Sequence, residues 1–177
     1  MNHNFKILGI DPGLNITGYG LVKKDENRLE YLASGVIKSP TNEKDLAKRL
    51  KVICLGLKEI IETYKPDCVS IEKVFVNVNP HSTLLLGQAR GAAISISVLK
   101  DLDVYEYTAL QIKKSVVGNG HAVKEQVQMM VKKLLNLPAL TSKDSADALA
   151  CAICHANVSD ALKHFPSGTR MKGGRFL

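Results

Sequence analysis

The chain has 177 residues, of which 45% are hydrophobic, so it is long enough for one globular domain with a substantial core. Its formal charge of +7 favours a polyanionic partner, and nucleic acid fits better than a membrane because no predicted helix has an aromatic and leucine-rich face. No apolar run approaches the roughly 20 residues of a membrane span, and residues 1–6 lack a signal-peptide layout. We therefore expect a cytoplasmic protein without a membrane partner.

Hydrophobic periodicity and turn residues divide the chain into strands and helices. Apolar runs bounded by Gly and Pro predict strands, and apolar residues that recur every three or four positions predict helices. The first three strands follow one another as an antiparallel meander, whereas the fourth follows a helix directly and is therefore predicted to be parallel. The predicted elements, in order, are strands at 6–10, 19–24 and 28–38, a helix at 43–64, a strand at 67–75, a helix from Ser82 or Thr83 to about Lys100, a strand at 104–107, a short helix from a capping box at Thr108 to Gly118, and helices at 123–136 and 141–162.

The sequence shows neither an internal repeat nor a boundary between two domains. We predict a single domain over residues 1–162 and a flexible tail over 163–177, which has four Lys or Arg residues, three glycines and no acid. The four cysteines lie in apolar segments and suggest no disulfide framework. The run from Cys151 to His155 matches a haem-attachment pattern, but it continues an apolar helix, so we interpret these cysteines as core residues.

Two carboxylates stand where predicted strands end. Asp11 directly follows the first apolar run and precedes Pro12-Gly13, which turns the chain. Glu72 stands where the fourth strand stops being continuously apolar. An Asp before Pro-Gly is also common turn chemistry, so this stretch alone supports capping of a local turn at least as well as a functional carboxylate.

Two further carboxylates lie near the start of the last predicted helix. Asp144 and Asp147 are three residues apart, so they project from the same helix face. Asp144 has a structural explanation, because an acid three residues after Thr141 completes a cap and meets the positive end of the helix dipole. Asp147 lies between two alanines and has no such explanation.

These four acids converge only if the last helix packs across the edge of the sheet. Carboxylates held close together repel one another and raise one another's pKa values unless a cation neutralises them. Hard oxygen ligands suit Mg²⁺ or Mn²⁺. Two such ions about 4 Å apart activate a water molecule and stabilise the leaving oxygen of an in-line displacement at phosphorus.

Several motifs in a fixed order resemble those of the RuvC Holliday junction resolvases, over about residues 7–155. The motifs are Gly-Ile-Asp11-Pro-Gly, Ile-Glu72-Lys-Val-Phe75, Leu-Gly-Gln-Ala-Arg-Gly and Asp144-Ser-Ala-Asp147-Ala-Leu-Ala. The first motif alone would also suit the wider ribonuclease H-like group. The resemblance implies an α/β, ribonuclease H-like three-layer fold with a mixed five-stranded sheet flanked by helices. It also implies a homodimer that nicks opposite strands of a four-way DNA junction and leaves 5′-phosphate and 3′-hydroxyl ends.

The same resemblance implies cofactors, partners and residue roles. Asp11, Glu72, Asp144 and Asp147 match the family's four catalytic, metal-binding acids, although some members have His at the position of Asp144. The implied cofactor is Mg²⁺, with two ions per subunit and Mn²⁺ as a substitute. The implied partners are the RuvA and RuvB branch-migration proteins.

Three residues match positions that contact DNA in the family. Phe75 matches the aromatic residue that reaches the DNA near the crossover, and its structural alternative is a loop residue folded back on the core. Lys113 and Lys124 match lysines implicated in DNA contact, whereas Lys114 lacks that support. Any one lysine is more often solvated surface, but phosphate binding needs several of them, which the net charge allows. The small-residue segment 87–93 allows either tight packing on the sheet or a two-fold helix pair between subunits, and its resemblance to the family's dimer helix favours the subunit contact.

Two rival functions remain open on the sequence. The Asp-x-Gly-x-x-x-x-Gly pattern that begins at Asp11 also resembles the phosphate loop of actin-like kinases and ATPases, but those folds need two such subdomains and this chain is long enough for one. The second rival is a junction-binding protein without catalysis, in which the acids are structural. Saturable ATP binding would favour the first rival, and junction binding without Mg²⁺-dependent nicking would favour the second.

Overall fold

The computed structural model describes residues 5–26, 28–74, 79–139, 142–163, 171–172 and 175–176. Five strands and five helices make up the main body, in the order that the sequence predicts. The elements are β1 (Phe5–Asp11), β2 (Ile16–Asp25), β3 (Arg28–Lys38), α1 (Leu46–Tyr64), β4 (Cys68–Lys73), α2 (Pro80–Val98), β5 (Asp103–Thr108), α3 (Ala109–Val117), α4 (Lys124–Leu134) and α5 (Lys143–Lys163), followed by the two-residue strands β6 (Met171–Lys172) and β7 (Arg175–Phe176).

The main sheet has five strands in the order β3-β2-β1-β4-β5. The pairs β1–β2 and β2–β3 are antiparallel, whereas β4 is parallel to both β1 and β5. This mixed five-stranded sheet confirms the predicted fold class. Because β1 and β4 are neighbours and run in the same direction, their carboxyl ends lie at the same edge of the sheet.

The two faces of the sheet carry separate cores. On one face, α1 and α2 pack against residues such as Leu8, Ile10 and Ile71. On the other face, α3, α4 and α5 pack against Ile7 and Val22. Alternating side chains of a strand point to opposite faces, so β1 contributes to both cores and is buried on both sides. The fold is therefore a three-layer arrangement with the sheet in the middle.

Glycines allow α5 to lie unusually close to β1 and β2. A Cβ atom on Gly9 would stand 1.9 Å from the Ala148 carbonyl oxygen, and one on Gly18 would stand 2.2 Å from the Asp144 carbonyl oxygen. The Ser70 hydroxyl also donates a hydrogen bond of 2.7 Å to the carbonyl of Cys151. These contacts fix the position of α5 along the sheet.

The start of α2 differs from the prediction. The expected cap at Ser82 or Thr83 is wrong, because the helix begins at Pro80 and Asn79 is its cap, with the side chain accepting a 3.2 Å hydrogen bond from the Ser82 backbone. Proline suits the first helical position, where its missing N–H would have no intrahelical partner. The capping box at Thr108 is confirmed by reciprocal hydrogen bonds with Gln111 of 2.8 and 3.2 Å.

The division into a domain at 1–162 and a tail at 163–177 stays a prediction. Most of the tail lies outside the described residues, and its described strands β6 and β7 pair with each other in antiparallel fashion. All four cysteines are free, three of them buried, as expected of core residues. No helix within the described ranges is both long and apolar enough to cross a membrane.

Candidate active site

Asp11 is the last residue of β1, and the turn after it is closed without its help. The Thr17 hydroxyl donates a 2.8 Å hydrogen bond to the Gly13 carbonyl and accepts one of 3.4 Å from the Gly13 N–H. Among the described residues, no hydrogen bond reaches the Asp11 carboxylate. The turn-capping explanation of Asp11 therefore finds no support in the structure, and its carboxylate is left for another role.

Strand pairing brings α5 to Asp11. Asp11 lies opposite Gly18 in the β1–β2 register, and the backbone of Asp144 lies directly over Gly18. A side chain at position 18 would push the first turn of α5 away from the strand end. The absence of a Cβ at Gly18 thus places Asp144 beside Asp11, although the two residues are 133 positions apart in the sequence.

The start of α5 is capped by serines. Ser142 and Ser145 exchange hydrogen bonds through their backbone N–H groups and hydroxyls, at 3.0 and 3.1 Å. Thr141, the predicted partner of Asp144 in a cap, lies outside the described residues. Because Ser142 and Ser145 already close this turn, capping is not needed to explain the carboxylate of Asp144.

The pKa of Asp11 responds to the charges of the other three acids. Burial, followed by the negative charges of Asp147, Glu72 and Asp144, raises the pKa of Asp11 from 3.8 to about 7. The ammonium of Lys124 lowers it, but by less than these opposing effects. A carboxyl group in this position is ionised only at a cost, and a nearby cation would remove that cost.

Glu72 and Asp147 belong to the same group of charges. Burial and then the charge of Asp147 raise the pKa of Glu72, while Lys113 and Lys124 lower it. Burial also raises the pKa of Asp147, opposed by a hydrogen bond from Lys124, whose Nζ lies 2.5 Å from Oδ2 of Asp147. Lys124 is therefore the nearest counter-ion of Asp147.

Two cavities border Glu72. One, the acidic cavity, has a volume of about 190 Å³ and is lined by Glu72, Asp147, Lys113 and Lys124, together with apolar side chains of α3, α4 and α5. The other, of about 320 Å³, is lined by Asp11 and Glu72 with residues from the loop after β4 and from α2. The sequence-predicted acids and lysines thus line two cavities that share Glu72, except Asp144, which acts on Asp11 through its charge.

The donor chemistry of this region fits a hard divalent cation. Asp11, Glu72, Asp144 and Asp147 lie within electrostatic reach of one another, and carboxylate oxygens are the ligands that Mg²⁺ and Mn²⁺ prefer in proteins. As the side chains stand, no three His, Cys, Asp or Glu residues in the described part of the chain converge closely enough to hold one ion.

Comparison with known proteins identifies the family. The sequence model of the crossover junction endodeoxyribonuclease RuvC family matches residues 7–155. The chain belongs to the RuvC family. Relatives named crossover junction endodeoxyribonuclease RuvC from Methylobacillus flagellatus and Cupriavidus pinatubonensis are 60% and 62% identical to it. Those alignments cover 98% and 97% of this chain and 99% of each relative.

A solved RuvC structure shares the fold. The structure of T. thermophilus RuvC in complex with Holliday junction substrate is 30% identical and superposes with a TM-score of 0.83, over 89% of this chain and 96% of that one. The mixed sheet and its flanking helices are therefore the RuvC architecture. Phe75, which the sequence assigns to DNA contact, lies outside the described residues, so its role stays a prediction.

Arg90 of α2 also contacts this candidate site, although the sequence motifs alone do not single it out. Its Nε donates a 3.0 Å hydrogen bond to the backbone carbonyl of Glu72, and its guanidinium forms an ion pair with Glu106 of β5. The available signal is an arginine among small residues in the motif Leu-Gly-Gln-Ala-Arg-Gly, a segment that the sequence assigns to a subunit contact.

Proposed function

We propose that this protein is a Mg²⁺-dependent endodeoxyribonuclease that resolves four-way (Holliday) DNA junctions in homologous recombination and DNA repair. It makes paired nicks in opposite strands and leaves 5′-phosphate and 3′-hydroxyl ends. The observation that carries this proposal is a group of carboxylates at the sheet edge of a RuvC-family chain, where Glu72 borders both Asp147 and Asp11 and the charges of Asp147, Glu72 and Asp144 act on Asp11. A junction-binding protein without catalysis would have no need to hold a carboxyl group against so much negative charge.

The catalytic roles follow from the position of each side chain. Asp11, Glu72, Asp144 and Asp147 would hold the metal, with two Mg²⁺ ions per subunit and Mn²⁺ as a substitute. Bound metal ions activate a water molecule and stabilise the leaving oxygen at phosphorus. Lys113 and Lys124 border the acidic cavity and would contact DNA phosphates.

Helix α2 supports a homodimer. Its outward face is a stripe of small and apolar side chains with one glutamine. Apart from adjoining residues and the helix's own backbone, no atom within the described residues lies within 4 Å of a Cβ built on Gly87 or Gly91. This stripe consists of Leu84, Gly87, Gln88, Gly91, Ser95 and Val98. A two-fold helix pair buries such a face, and two subunits are needed to nick two opposite strands.

We also propose RuvA and RuvB as partners and the cytoplasm as the location.

Replacing Leu84 with Asp should convert the dimer into monomers, because it places a charge on this stripe. Leu84 is 66% exposed in the single chain, so the monomer itself should fold normally. Sedimentation equilibrium measures the change, and Leu55→Asp is the matched control because Leu55 is a similarly exposed leucine, at 53%, on a different helix, α1. An unchanged dimer in Leu84→Asp would contradict the assignment of this interface.

Replacing Lys113 with Ala should weaken junction binding and lower the slope of log affinity against log salt concentration by about 1, because one phosphate contact is lost. Lys114→Ala is the matched control, since Lys114 is the adjacent exposed lysine and lines neither cavity that borders Glu72. Fluorescence anisotropy over a range of salt concentrations measures both slopes. Equal slopes for the two variants would show that Lys113 contacts no phosphate.

The proposed function is tested by its products. A synthetic junction is labelled on each strand in turn, incubated with protein and Mg²⁺, and compared with a linear duplex of the same sequence. We expect nicks on two opposite strands, products that DNA ligase reseals without prior phosphorylation, and an intact duplex. Equal cleavage of the linear duplex, or products that cannot be resealed, would contradict the proposal.

A further inference from the structure

The backbone of Glu72 is held from the face of the sheet opposite its carboxylate. Ser70 bonds to α5, and because side chains alternate along a strand, Glu72 faces the α5 side as well, where it lines the acidic cavity. Ile71 between them packs on the α1 and α2 side. Arg90 approaches from that opposite side and binds the Glu72 carbonyl, so it acts on the position of Glu72 without touching its carboxylate.

Glu72 lies where β4 no longer pairs with β1, so a further contact is needed to hold its backbone in place. The β1–β4 register ends at the pair Ile10–Ile71, one residue before Glu72, so only β5 continues to pair with it. The Arg90 guanidinium bridges the Glu72 carbonyl and the Glu106 carboxylate, and it therefore ties the end of β4 to β5 and to α2 at one point. Its side chain is only 20% exposed and both interactions are internal to the chain, which argues against a free phosphate ligand.

Helix α2 carries Arg90 between the two glycines of its outward stripe. Gly87 and Gly91 lie three positions before and one position after Arg90, and Leu86 of the same helix lines the cavity that contains Asp11 and Glu72. A shift of α2 therefore moves both the guanidinium and one wall of the site. The proposed subunit contact and the Glu72 backbone are connected through a single side chain.

We propose that Arg90 is a positioning residue that holds Glu72 in place for metal binding and links its position to helix α2. This inference rests on the proposed function. Residues that orient metal ligands from outside the coordination sphere change metal affinity by about 10- to 100-fold when removed. Arg90→Met should therefore raise the Mg²⁺ concentration for half-maximal junction cleavage at least about tenfold, with most of the maximal rate recovered at saturating Mg²⁺.

The test compares Arg90→Met, Arg90→Lys and Glu106→Gln with the wild type. Lysine keeps the charge but lacks the planar fork that reaches two acceptors, so Arg90→Lys should restore only part of the metal affinity, and Glu106→Gln should show a smaller loss. The matched control is Lys100→Met, which removes an ion pair with Glu62 beyond the C-terminal end of α2. The control should leave the Mg²⁺ dependence unchanged.

Three measurements separate the possible outcomes. Mn²⁺ binding to the free protein, followed by electron paramagnetic resonance, should weaken in Arg90→Met in step with the Mg²⁺ requirement, while junction affinity stays within about threefold of wild type, a difference below 1 kcal/mol. A lower unfolding temperature with unchanged Mg²⁺ dependence would overturn the proposal in favour of a purely structural role, and weaker junction binding with unchanged Mg²⁺ dependence would overturn it in favour of DNA contact.

The proposed function and the role of Arg90 can fail separately. If the wild type cleaves no junction, the proposed function fails, and Mn²⁺ binding to the free protein still shows whether Arg90 supports the metal ligands. If Arg90→Met does not fold, Arg90→Lys and Glu106→Gln give the same comparison with smaller perturbations. Unchanged Mn²⁺ affinity in both of these variants would then overturn the role of Arg90.

Discussion

Replacing Asp11 with Asn is expected to reduce junction cleavage by about 10³-fold or more while making the metal-free protein more stable. The loss of activity follows from removing a central metal ligand, and it should be at least as large as the loss of one preorganised electrostatic contact in other enzymes. The gain in stability follows from the raised pKa of Asp11, about 7 instead of 3.8, which corresponds to roughly 4 kcal/mol for ionising this carboxyl group at pH 8. We expect about half of that gain in practice, because the remaining acids readjust and the Asn amide is also desolvated.

The gain in stability of Asp11→Asn should grow as the pH rises. Between about pH 4 and pH 7 the folded protein keeps a proton on Asp11 that the unfolded chain has released, so the free energy of unfolding falls as the pH rises through this range. The difference between Asp11→Asn and wild type should be near zero at pH 4 and largest at pH 8. Urea unfolding in EDTA measures it, with Asp103→Asn as the control because Asp103 is exposed at the start of β5. A less stable Asp11→Asn protein at pH 8 would contradict the raised pKa of Asp11.

Replacing Asp147 with Asn is expected to abolish junction cleavage and leave junction binding within about threefold of wild type, a change below 1 kcal/mol. Asp147 lines the acidic cavity and raises the pKa values of both Asp11 and Glu72. Its carboxylate also accepts a hydrogen bond from the Lys124 ammonium. Asn is nearly isosteric but cannot supply the charge that a divalent ion requires, so metal binding should suffer more than the fold. Single-turnover cleavage and anisotropy measure the two effects separately.

The control for this variant is Glu125→Gln. Glu125 is an exposed acid next to Lys124 in the first turn of α4, so its replacement removes one negative charge near the same lysine without touching the cavity lining. This variant should cleave at the wild-type rate. Cleavage by Asp147→Asn at a rate equal to wild type would exclude Asp147 from the catalytic group. Loss of junction binding in Asp147→Asn but not in Glu125→Gln would indicate that Asp147 contacts the DNA.

Local chemistry makes most of the fold predictable from the sequence. Pro12-Gly13 ends β1 immediately after Asp11, and the interrupted apolar run marks the end of β4 near Glu72, so the residue pattern alone assigns these two carboxylates to strand ends. The antiparallel and parallel relations of the strands follow from the length of their connections. The predicted start of α2 is wrong because a hydroxyl cap was favoured over Asn79 followed by proline.

The contacts that organise the site are less predictable because they join distant parts of the chain. The bond from Arg90 to the Glu72 carbonyl spans 18 residues, and its acceptor is a backbone atom, which carries no residue-specific signal. The ion pair between Lys124 and Asp147 depends on how α4 packs against α5, and periodicity gives only which faces are apolar. Gly18 is recognisable in the sequence as a small residue beside the carboxylate, but its role in seating Asp144 depends on the strand register.

The carboxylates at the sheet edge are proposed to support metal-dependent cleavage of a branched DNA substrate. Incubating the wild-type protein with a synthetic four-way junction, in Mg²⁺ or in EDTA and with a linear duplex as the control, tests this role most directly. We expect junction cleavage with Mg²⁺, none in EDTA and no cleavage of the duplex. Cleavage that persists in EDTA, or junction binding without any cleavage in Mg²⁺, would contradict this role of the carboxylates.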